Sequence, residues 1–134
     1  MPNHIFAVSF PSYTPNLYVY FYLQARDGEI KVLALWRYQK VSINGAPFVC
    51  QCTELVVSED PVHAEICDYC VSVLRAQDMT WGPAHTEIRL SKEGPKLMEV
   101  NARWHGQNFV PITRSILGTD AVTATLDAFF DPGM

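Results

Sequence analysis

Residues 82–106 read GPAHTEIRLSKEGPKLMEVNARWHG, and this stretch decides the fold. Polar and apolar residues alternate from Ala84 to Leu90 and again from Lys96 to Arg103, which is the pattern of β-strands. Between the two runs lies a series of turn-forming residues, Ser91 to Pro95. The stretch is therefore predicted to be a β-hairpin.

Because side chains alternate between the two faces of a strand, one face of this hairpin is apolar and the other is polar. The apolar face carries Thr86, Ile88, Met98, Val100 and Ala102, and the polar face carries His85, Glu87, Arg89, Leu97, Glu99, Asn101 and Arg103. We expect Leu90 to pair with Lys96 across the turn. In that register Glu87 lies directly opposite Glu99.

Two opposed carboxylates need a compensating positive charge. Opposed residues in an antiparallel pair have Cβ atoms roughly 4.5–5.5 Å apart, and like charges there destabilise the sheet. At an effective dielectric near 20, two such charges about 5 Å apart repel by roughly 3 kcal/mol. A divalent cation offsets this repulsion well, and Mg²⁺ binds carboxylate and amide oxygens together with phosphates.

The same register places His85 opposite Asn101, so an amide oxygen lies beside the two acids. The candidate ligands for Mg²⁺ are therefore Glu87, Glu99 and Asn101. Arg103 lies beside them, where it could bind a phosphate. The alternative interpretation is a solvated strand face that carries two surface acids, because acid clusters mark functional sites only in a fraction of cases.

The composition is that of a globular protein. Of the 134 residues, 49% are hydrophobic and 18% are charged, which suffices for a packed core. We expect one domain over residues 1–134, with a loosely structured start at 1–16, where prolines and turn formers cluster. The net charge is −4 and the basic residues are scattered, so we expect no nucleic-acid partner. No apolar run reaches transmembrane length and no secretory leader is evident, so we expect no membrane contact.

The cysteines allow two interpretations. Cys50, Cys52, Cys67 and Cys70 occur without a secretory leader, which favours free thiols in a reducing compartment, and we expect a cytoplasmic protein. The spacing C-x-C, fourteen residues, C-x-x-C also resembles that of a zinc site. Against zinc, one pair lies on a predicted strand and the other lies inside a predicted helix, whereas structural zinc sites usually place ligands on turns.

The rest of the chain predicts an α+β fold. Strands are expected at 17–23, 30–39 and 48–57, with a turn at Asp27-Gly28 and a loop at 41–47. Helices are expected at 61–77, capped by Asp60, at 110–117 and at 120–130, capped by Thr119. Val122, Leu126 and Phe129 form the expected core face of the last helix. We expect an antiparallel β-sheet with the helices packed mainly on one face.

A resemblance to a known family supports the metal site. The motif Glu-Val-Asn-Ala-Arg-x-x-Gly at 99–106, with Glu87 twelve positions before Glu99, resembles the metal-binding hairpin of the ATP-grasp superfamily. The run Gly-Pro-Ala-His-Thr-Glu at 82–87 and the turn Gly-Pro-Lys-Leu at 94–97 are similar to its carboxylate–amine ligase branch, which includes amino-acid and dipeptide ligases. The resemblance is specific over 81–132 and looser over 26–48. It implies a fold like the C-terminal subdomain of ATP-grasp proteins.

In the family that the resemblance indicates, ATP phosphorylates a carboxylate and an amine attacks the acyl phosphate. The resemblance thus implies ATP and Mg²⁺ as cofactors, with Glu87, Glu99 and Asn101 holding the Mg²⁺ that bridges the terminal phosphates. Arg103 is the implied catalytic residue, which steadies the transferred phosphoryl group or the tetrahedral intermediate. His85 is a candidate for contacting the nucleotide, or it pairs with Asn101 across the strands.

The loop that follows the hairpin is a candidate wall of the substrate pocket. Trp104, His105 and Gln107 lie there, with a place in the core or on the surface as the alternative.

The resemblance covers only half of the family fold, which clamps ATP between two α+β halves. The other half supplies a glycine-rich phosphate loop, and the seven glycines of this chain are scattered. We therefore expect weak binding of Mg²⁺ and nucleotide and no turnover by the chain alone, so its status as an enzyme stays open. Expected partners are a nucleotide, a small carboxylate or amine substrate, and a second chain that supplies the missing half. The alternatives are a non-catalytic binding or regulatory module derived from this fold, or a zinc-stabilised domain.

Overall fold

The computed structural model describes residues 17–57, 61–106 and 109–131, with the backbone alone for 17–23. The loosely structured start expected at 1–16, the expected Asp60 cap and the pocket candidate Gln107 lie outside the described residues. The elements follow the order β1 (Leu17–Arg26), β2 (Glu29–Ile43), β3 (Ala46–Leu55), α1 (Pro61–Ala76), β4 (Gly82–Ser91), β5 (Gly94–Asn101), α2 (Val110–Leu117) and α3 (Ala121–Phe130).

The five strands form one antiparallel sheet in the order β3-β2-β1-β4-β5. Two tight turns build its long hairpins. Asp27 and Gly28 join β1 to β2 with φ of 50° and 81°, and Asn44 and Gly45 join β2 to β3 with φ of 50° and 77°. Asp, Asn and Gly tolerate these left-handed values, which two-residue hairpin turns require. The loop expected at 41–47 is thus a two-residue turn, and both strands continue to it.

The polar residues of the β4–β5 hairpin pair as predicted, but the pairing next to the turn differs from the prediction. Leu90 pairs with Pro95 rather than with the expected Lys96, because the loop is shorter than expected and Ser91 already pairs with Gly94. The register then shifts between Glu87 and Ile88, where Met98 is the extra residue of a β-bulge.

Beyond the bulge the polar residues meet as predicted. Glu87 pairs with Glu99, and His85 pairs with Asn101. The bulge also corrects one expectation about the faces of the sheet. Leu97 pairs with Ile88 and so lies on the face opposite to the two acids.

Helix α1 covers one face of the sheet. Its residues Ile66, Cys70 and Leu74 recur at helical spacing and are fully buried. They pack against sheet residues that include Ala84 and Ile88, and together these residues form the larger hydrophobic core. The helix expected at 61–77 therefore presents one apolar face to the sheet.

The opposite face is covered by Phe109, which is the N-cap residue of α2, and by α3. A second core cluster joins Trp36 and Ala34 of β2 to Phe109, Ala121 and Ala124. The α+β class and the antiparallel sheet are confirmed, but the helices lie on both faces. The physical reason is that β2 carries large apolar residues on both sides, so each side needs a cover.

Helix α3 contacts the sheet through small residues. Its buried residues are Ala121, Ala124 and Ala128, whereas Leu126 and Phe129 are half exposed, so the predicted core face was wrong. The alanines let the helix approach the sheet closely, and Thr125 Oγ1 lies 3.0 Å from Gln24 Oε1. Large side chains on that face would hold the helix away from the strands.

The N-cap of α3 is Asp120 rather than the expected Thr119. Its carboxylate accepts hydrogen bonds from the backbone N–H groups of Val122 and Thr123, at 2.9 and 3.2 Å. The side chain of Arg114, from α2, also donates to this carboxylate. Asp120 therefore joins the two short helices that follow the central hairpin.

Candidate metal and nucleotide site

A cavity of about 240 Å³ opens on the face of the sheet that carries α3. It is lined by Tyr38, His85, Glu87, Glu99, Arg103, His105, Gly106 and Phe109. The structure thus gathers four of the five predicted site residues around one cavity. The fifth, Asn101, is not one of the lining residues, but it lies opposite His85 and donates a hydrogen bond to Glu99.

Glu87 comes from β4 and is partly buried, with a third of its side chain exposed. Its Oε1 atom accepts a hydrogen bond from the Tyr38 hydroxyl at 3.5 Å. The Nε2 atom of His85 lies 3.8 Å from the same oxygen. Oε1 therefore faces protein groups, and Oε2 accepts no hydrogen bond from the side chains that the structure describes.

Glu99 comes from β5 and is more exposed than Glu87. Its Oε1 atom accepts a hydrogen bond from the amide nitrogen of Asn101 at 2.6 Å. Two residues apart on one strand, Glu99 and Asn101 point to the same face. Because the amide nitrogen donates to Glu99, the amide oxygen of Asn101 is left available as a metal ligand.

His85 is buried and uncharged at neutral pH. Its pKa is lowered to about 4, mainly because burial disfavours the charged imidazole and also because Arg103 and His105 lie nearby. The contact with Glu87 is therefore not an ion pair at neutral pH. His85 lies opposite Asn101 in the register of the sheet and also lines the cavity, so its role as a nucleotide contact stays a prediction.

Tyr38 stays protonated and acts as a hydrogen-bond donor. Its pKa is raised to about 12, chiefly because the phenol is buried and then because Glu87 lies beside it. Among the acidic and basic groups of the described residues that line the cavity, the carboxylates of Glu87 and Glu99 outnumber the guanidinium of Arg103. A phosphate group therefore needs a cation to enter.

The loop that follows β5 is fixed by aromatic contacts. The ring of Phe109 stacks on Trp36 of β2, with centroids 4.1 Å apart, and also contacts the ring of His105 at 4.9 Å. Phe109 therefore holds this loop against the sheet.

The side chains of the loop differ in position. His105 lines the cavity as expected. Trp104 is exposed, and its indole N–H donates to Thr125 of α3, so it binds the helix instead of the pocket. Arg103 is exposed at the cavity, and its Nη1 donates to the carbonyl oxygen of Trp104 at 2.7 Å.

Three of the residues that line the cavity were not identified as pocket residues from the sequence: Tyr38, Gly106 and Phe109. Alternation along β2 shows that Tyr38 shares a face with Trp36. Glu87 and Glu99 lie on this same face only because of the strand order, in which β1 separates β2 from β4. Strand order is set by long-range pairing and leaves no local signal.

The four cysteines do not form a metal centre. Cys50 and Cys52 are exposed on β3, whereas Cys67 and Cys70 lie on α1, and all four thiols are free. Within residues 17–57, 61–106 and 109–131, no group of three or more His, Cys, Asp and Glu side chains is placed to hold a metal ion. The structure thus gives the zinc interpretation no site among the described residues, and leaves a metal site of two acids and an amide as the candidate.

None of the helices in the described part of the chain is long and apolar enough to span a membrane.

Comparison with known proteins places the fold. No family model matches the sequence, and no curated protein matches it. Solved structures do match. An L-amino acid ligase from Bacillus licheniformis superposes with a TM-score of 0.70 at 21% identity, over 88% of this chain and 29% of that one.

Two further structures agree. A putative ATP-grasp superfamily protein from Archaeoglobus fulgidus gives a TM-score of 0.60 at 16% identity, over 84% of this chain and 35% of that one. The D-alanine–D-alanine ligase from Bacillus anthracis complexed with ATP gives 0.58 at 14% identity, over 87% of this chain and 39% of that one. This chain therefore spans well under half the length of the structures that it matches.

Proposed function

We propose a function for this chain from one premise: it has the ATP-grasp fold, as its sequence predicted, over part of the length of ATP-grasp proteins. The chain is the part of an ATP-dependent carboxylate–amine ligase that binds Mg²⁺ and the nucleotide phosphates. The observation that carries this proposal is the direct opposition of Glu87 and Glu99 beside a cavity that also contains Arg103.

The oxygen donors at this site suit Mg²⁺ better than they suit a metal ion that is held by protein groups alone. Mg²⁺ usually keeps several water molecules and is bound through one or two carboxylates and the phosphates of a substrate. Glu87 and Glu99 are the two carboxylates, and the amide oxygen of Asn101 is a third donor on the same face. The absence of a larger acid or histidine cluster from the described residues fits this mode of binding.

The size of the cavity favours an incomplete site. Small-molecule pockets usually enclose about 300–1,000 Å³, whereas this cavity encloses about 240 Å³. It has room for a metal ion and phosphate groups, and a nucleoside must be held mainly by other parts of the protein. The activity of a whole ligase thus requires structure beyond these residues, from the same chain or from a second chain.

Arg103 is the proposed catalytic residue. Its guanidinium lines the cavity close to the two acids and is exposed, so it is free to leave the carbonyl oxygen of Trp104 for a phosphate. Phosphoryl transfer depends mainly on positioning and on stabilising charge, and an arginine with a bridging metal supplies both. When bound, Mg²⁺ neutralises the phosphate charge.

Titration calorimetry with ADP in the presence and absence of Mg²⁺ tests the proposal. We expect binding in the micromolar range that requires the metal and that is lost in the Glu99→Gln variant. Glu65→Gln is a matched control, because Glu65 is an exposed acid on α1, on the other face of the sheet.

The results separate the alternatives. If Glu99→Gln leaves metal-dependent binding unchanged, the metal assignment is wrong. If no heat is observed with the wild-type protein, the chain is a non-catalytic module that keeps the fold without nucleotide binding.

A further inference from the structure

We infer that Tyr38 is a positioning residue of the metal site, whose hydroxyl fixes the orientation of the Glu87 carboxylate from two strands away. This inference rests on the proposed function, because the orientation of Glu87 matters for binding only if Glu87 holds the metal. The hydrogen bond from the Tyr38 hydroxyl to Glu87 Oε1 is the contact that carries it.

The hydrogen bond joins two strands that are not neighbours in the sheet. Tyr38 lies on β2 and Glu87 lies on β4, with β1 between them. Neighbouring strands are about 4.8 Å apart, so about 10 Å separates the two backbones. The side chains of Tyr38 and Glu87 extend towards each other and span this gap together, with the phenol hydroxyl as the donor where they meet. A phenylalanine in its place would reach the same region without a donor.

Packing determines where the hydroxyl lies. The Tyr38 side chain packs against the core cluster that contains Trp36 and Phe109. The ammonium group of Lys40 lies 5.5 Å from the centroid of its ring. Tyr38 is half-buried between these neighbours, and a tyrosine has few rotatable bonds, so its hydroxyl is presented at a defined place.

The consequence is that both acids are oriented by neighbouring side chains. Tyr38 donates to Oε1 of Glu87 and Asn101 donates to Oε1 of Glu99. Among the described residues, none hydrogen-bonds to Oε2 of either carboxylate, so these are the atoms that would bind a metal ion. Groups that hydrogen-bond to metal ligands fix the orientation of those ligands, and their loss commonly lowers metal affinity by about 10- to 100-fold.

The test compares Tyr38→Phe with Tyr69→Phe. Tyr69 is also half-buried, and its hydroxyl accepts a hydrogen bond from the backbone N–H of Leu97 on β5, on the α1 side of the sheet. Each variant therefore loses one tyrosine hydroxyl that contacts the β4–β5 hairpin, and only Tyr38 faces the cavity. The probe is Mn²⁺ with saturating ADP, because Mn²⁺ accepts the same oxygen ligands as Mg²⁺.

We expect Tyr38→Phe to weaken Mn²⁺ binding by about tenfold and to change the electron paramagnetic resonance spectrum of the bound ion. Tyr69→Phe should bind Mn²⁺ with the wild-type affinity and the wild-type spectrum. Thermal unfolding of each variant shows how far the fold is affected, and the retained ring and its apolar contacts should keep Tyr38→Phe folded.

Three results would overturn the inference. Wild-type affinity and spectrum in Tyr38→Phe would refute it and leave the proposed function standing. The second result is a weaker affinity with an unchanged spectrum, together with a loss of folding free energy equal to the loss of binding free energy. That result would make the role of Tyr38 purely structural. If the wild-type protein binds no Mn²⁺ in the presence of ADP, the inference and the proposed function both fail.

Discussion

Glu87 of β4 and Glu99 of β5 are directly opposed on one face of the sheet. Glu87 accepts a hydrogen bond from Tyr38, and Glu99 accepts one from Asn101. Both acids border a cavity, so the repulsion between them is only partly screened by water. Such an arrangement stabilises the bound state of a cation and costs stability when the cation is absent.

The first prediction concerns this cost. Without divalent metal, Glu99→Gln should raise the free energy of unfolding by about 0.5–1 kcal/mol, because it removes one of two like charges at opposed positions. The gain stays below the Coulomb estimate of roughly 3 kcal/mol because water screens partly exposed groups. Urea denaturation in a chelating buffer measures it. A Glu99→Gln protein less stable than wild type under these conditions would contradict the prediction.

The second prediction concerns the ligand. With Mg²⁺ and ADP at about 100 times the dissociation constant, the wild-type protein should gain roughly 2.7 kcal/mol of stability. Glu99→Gln should gain little, because the metal no longer has both acids. Urea denaturation with and without Mg·ADP gives both values, and Glu65→Gln should behave as the wild type. An equal gain in Glu99→Gln would exclude Glu99 from the binding site.

The third prediction concerns Phe109, which stacks on Trp36 and makes a tilted contact with the ring of His105. Phe109→Ala should lower the free energy of unfolding by roughly 3 kcal/mol, since it removes a buried ring and leaves a cavity. It should also weaken nucleotide binding, because the loop that carries Arg103 loses its anchor. Phe130 is 79% exposed on α3, so Phe130→Ala should change stability by less than about 0.5 kcal/mol. Chemical denaturation and calorimetry test both, and equal effects of the two substitutions would be inconsistent with the anchor.

The fourth prediction is a pH dependence that arises from Asp120. Burial alone would raise the pKa of this carboxyl, but hydrogen bonds from Thr123, Arg114 and Val122 outweigh burial and hold the pKa below its usual value. A depressed folded-state pKa contributes stability that is complete above the unfolded-state pKa, near 4, and is lost as the pH falls through the folded-state value. Asp120→Asn should therefore be less stable than wild type at pH 7, by about 1 kcal/mol.

The difference between Asp120→Asn and the wild type should shrink as the pH falls below about 4, which thermal unfolding across pH 2–7 would show. A stability gap for Asp120→Asn that stays constant down to pH 2 would rule out the charge of Asp120 as its source.

The fifth prediction concerns the thiols. Cys50 and Cys52 are exposed and should react quickly with an aromatic disulfide reagent. Cys70 is fully buried, and burial raises its pKa to about 12, so it should react only after unfolding. Thiol titration should thus show a fast phase from the β3 pair and full reaction in denaturant. Protection of all four thiols together with one tightly held zinc ion per chain would restore the zinc interpretation.

The polar face of the central hairpin was predictable from the sequence because alternation is a local property. Glu87 and Glu99 fell opposite each other although the expected pairing of Leu90 was wrong by one position. The shorter loop and the bulge at Met98 shift the register in opposite directions, and the two shifts cancel. The roles of the site residues stay predictions until binding is measured.

What sequence reasoning missed depends on long-range structure. Tyr38 reaches the site only because β1 inserts between β2 and β4, and no local pattern reports that order. The core face of α3 was misjudged for a related reason. Large apolar residues such as Leu126 and Phe129 are usually buried, but the close approach of this helix to the sheet selects alanines instead.

The bulge at Met98 separates the turn of this hairpin from the end that carries the acids. Leu97 and Glu99 are two positions apart and would share a face in a regular strand, but the extra residue between them puts them on opposite faces. Deletion of Met98 would make the strand regular, with Leu97 still opposite Ile88 and Glu99 still opposite Glu87. We therefore expect homologues that lack this residue to keep both acids on the same face of the sheet.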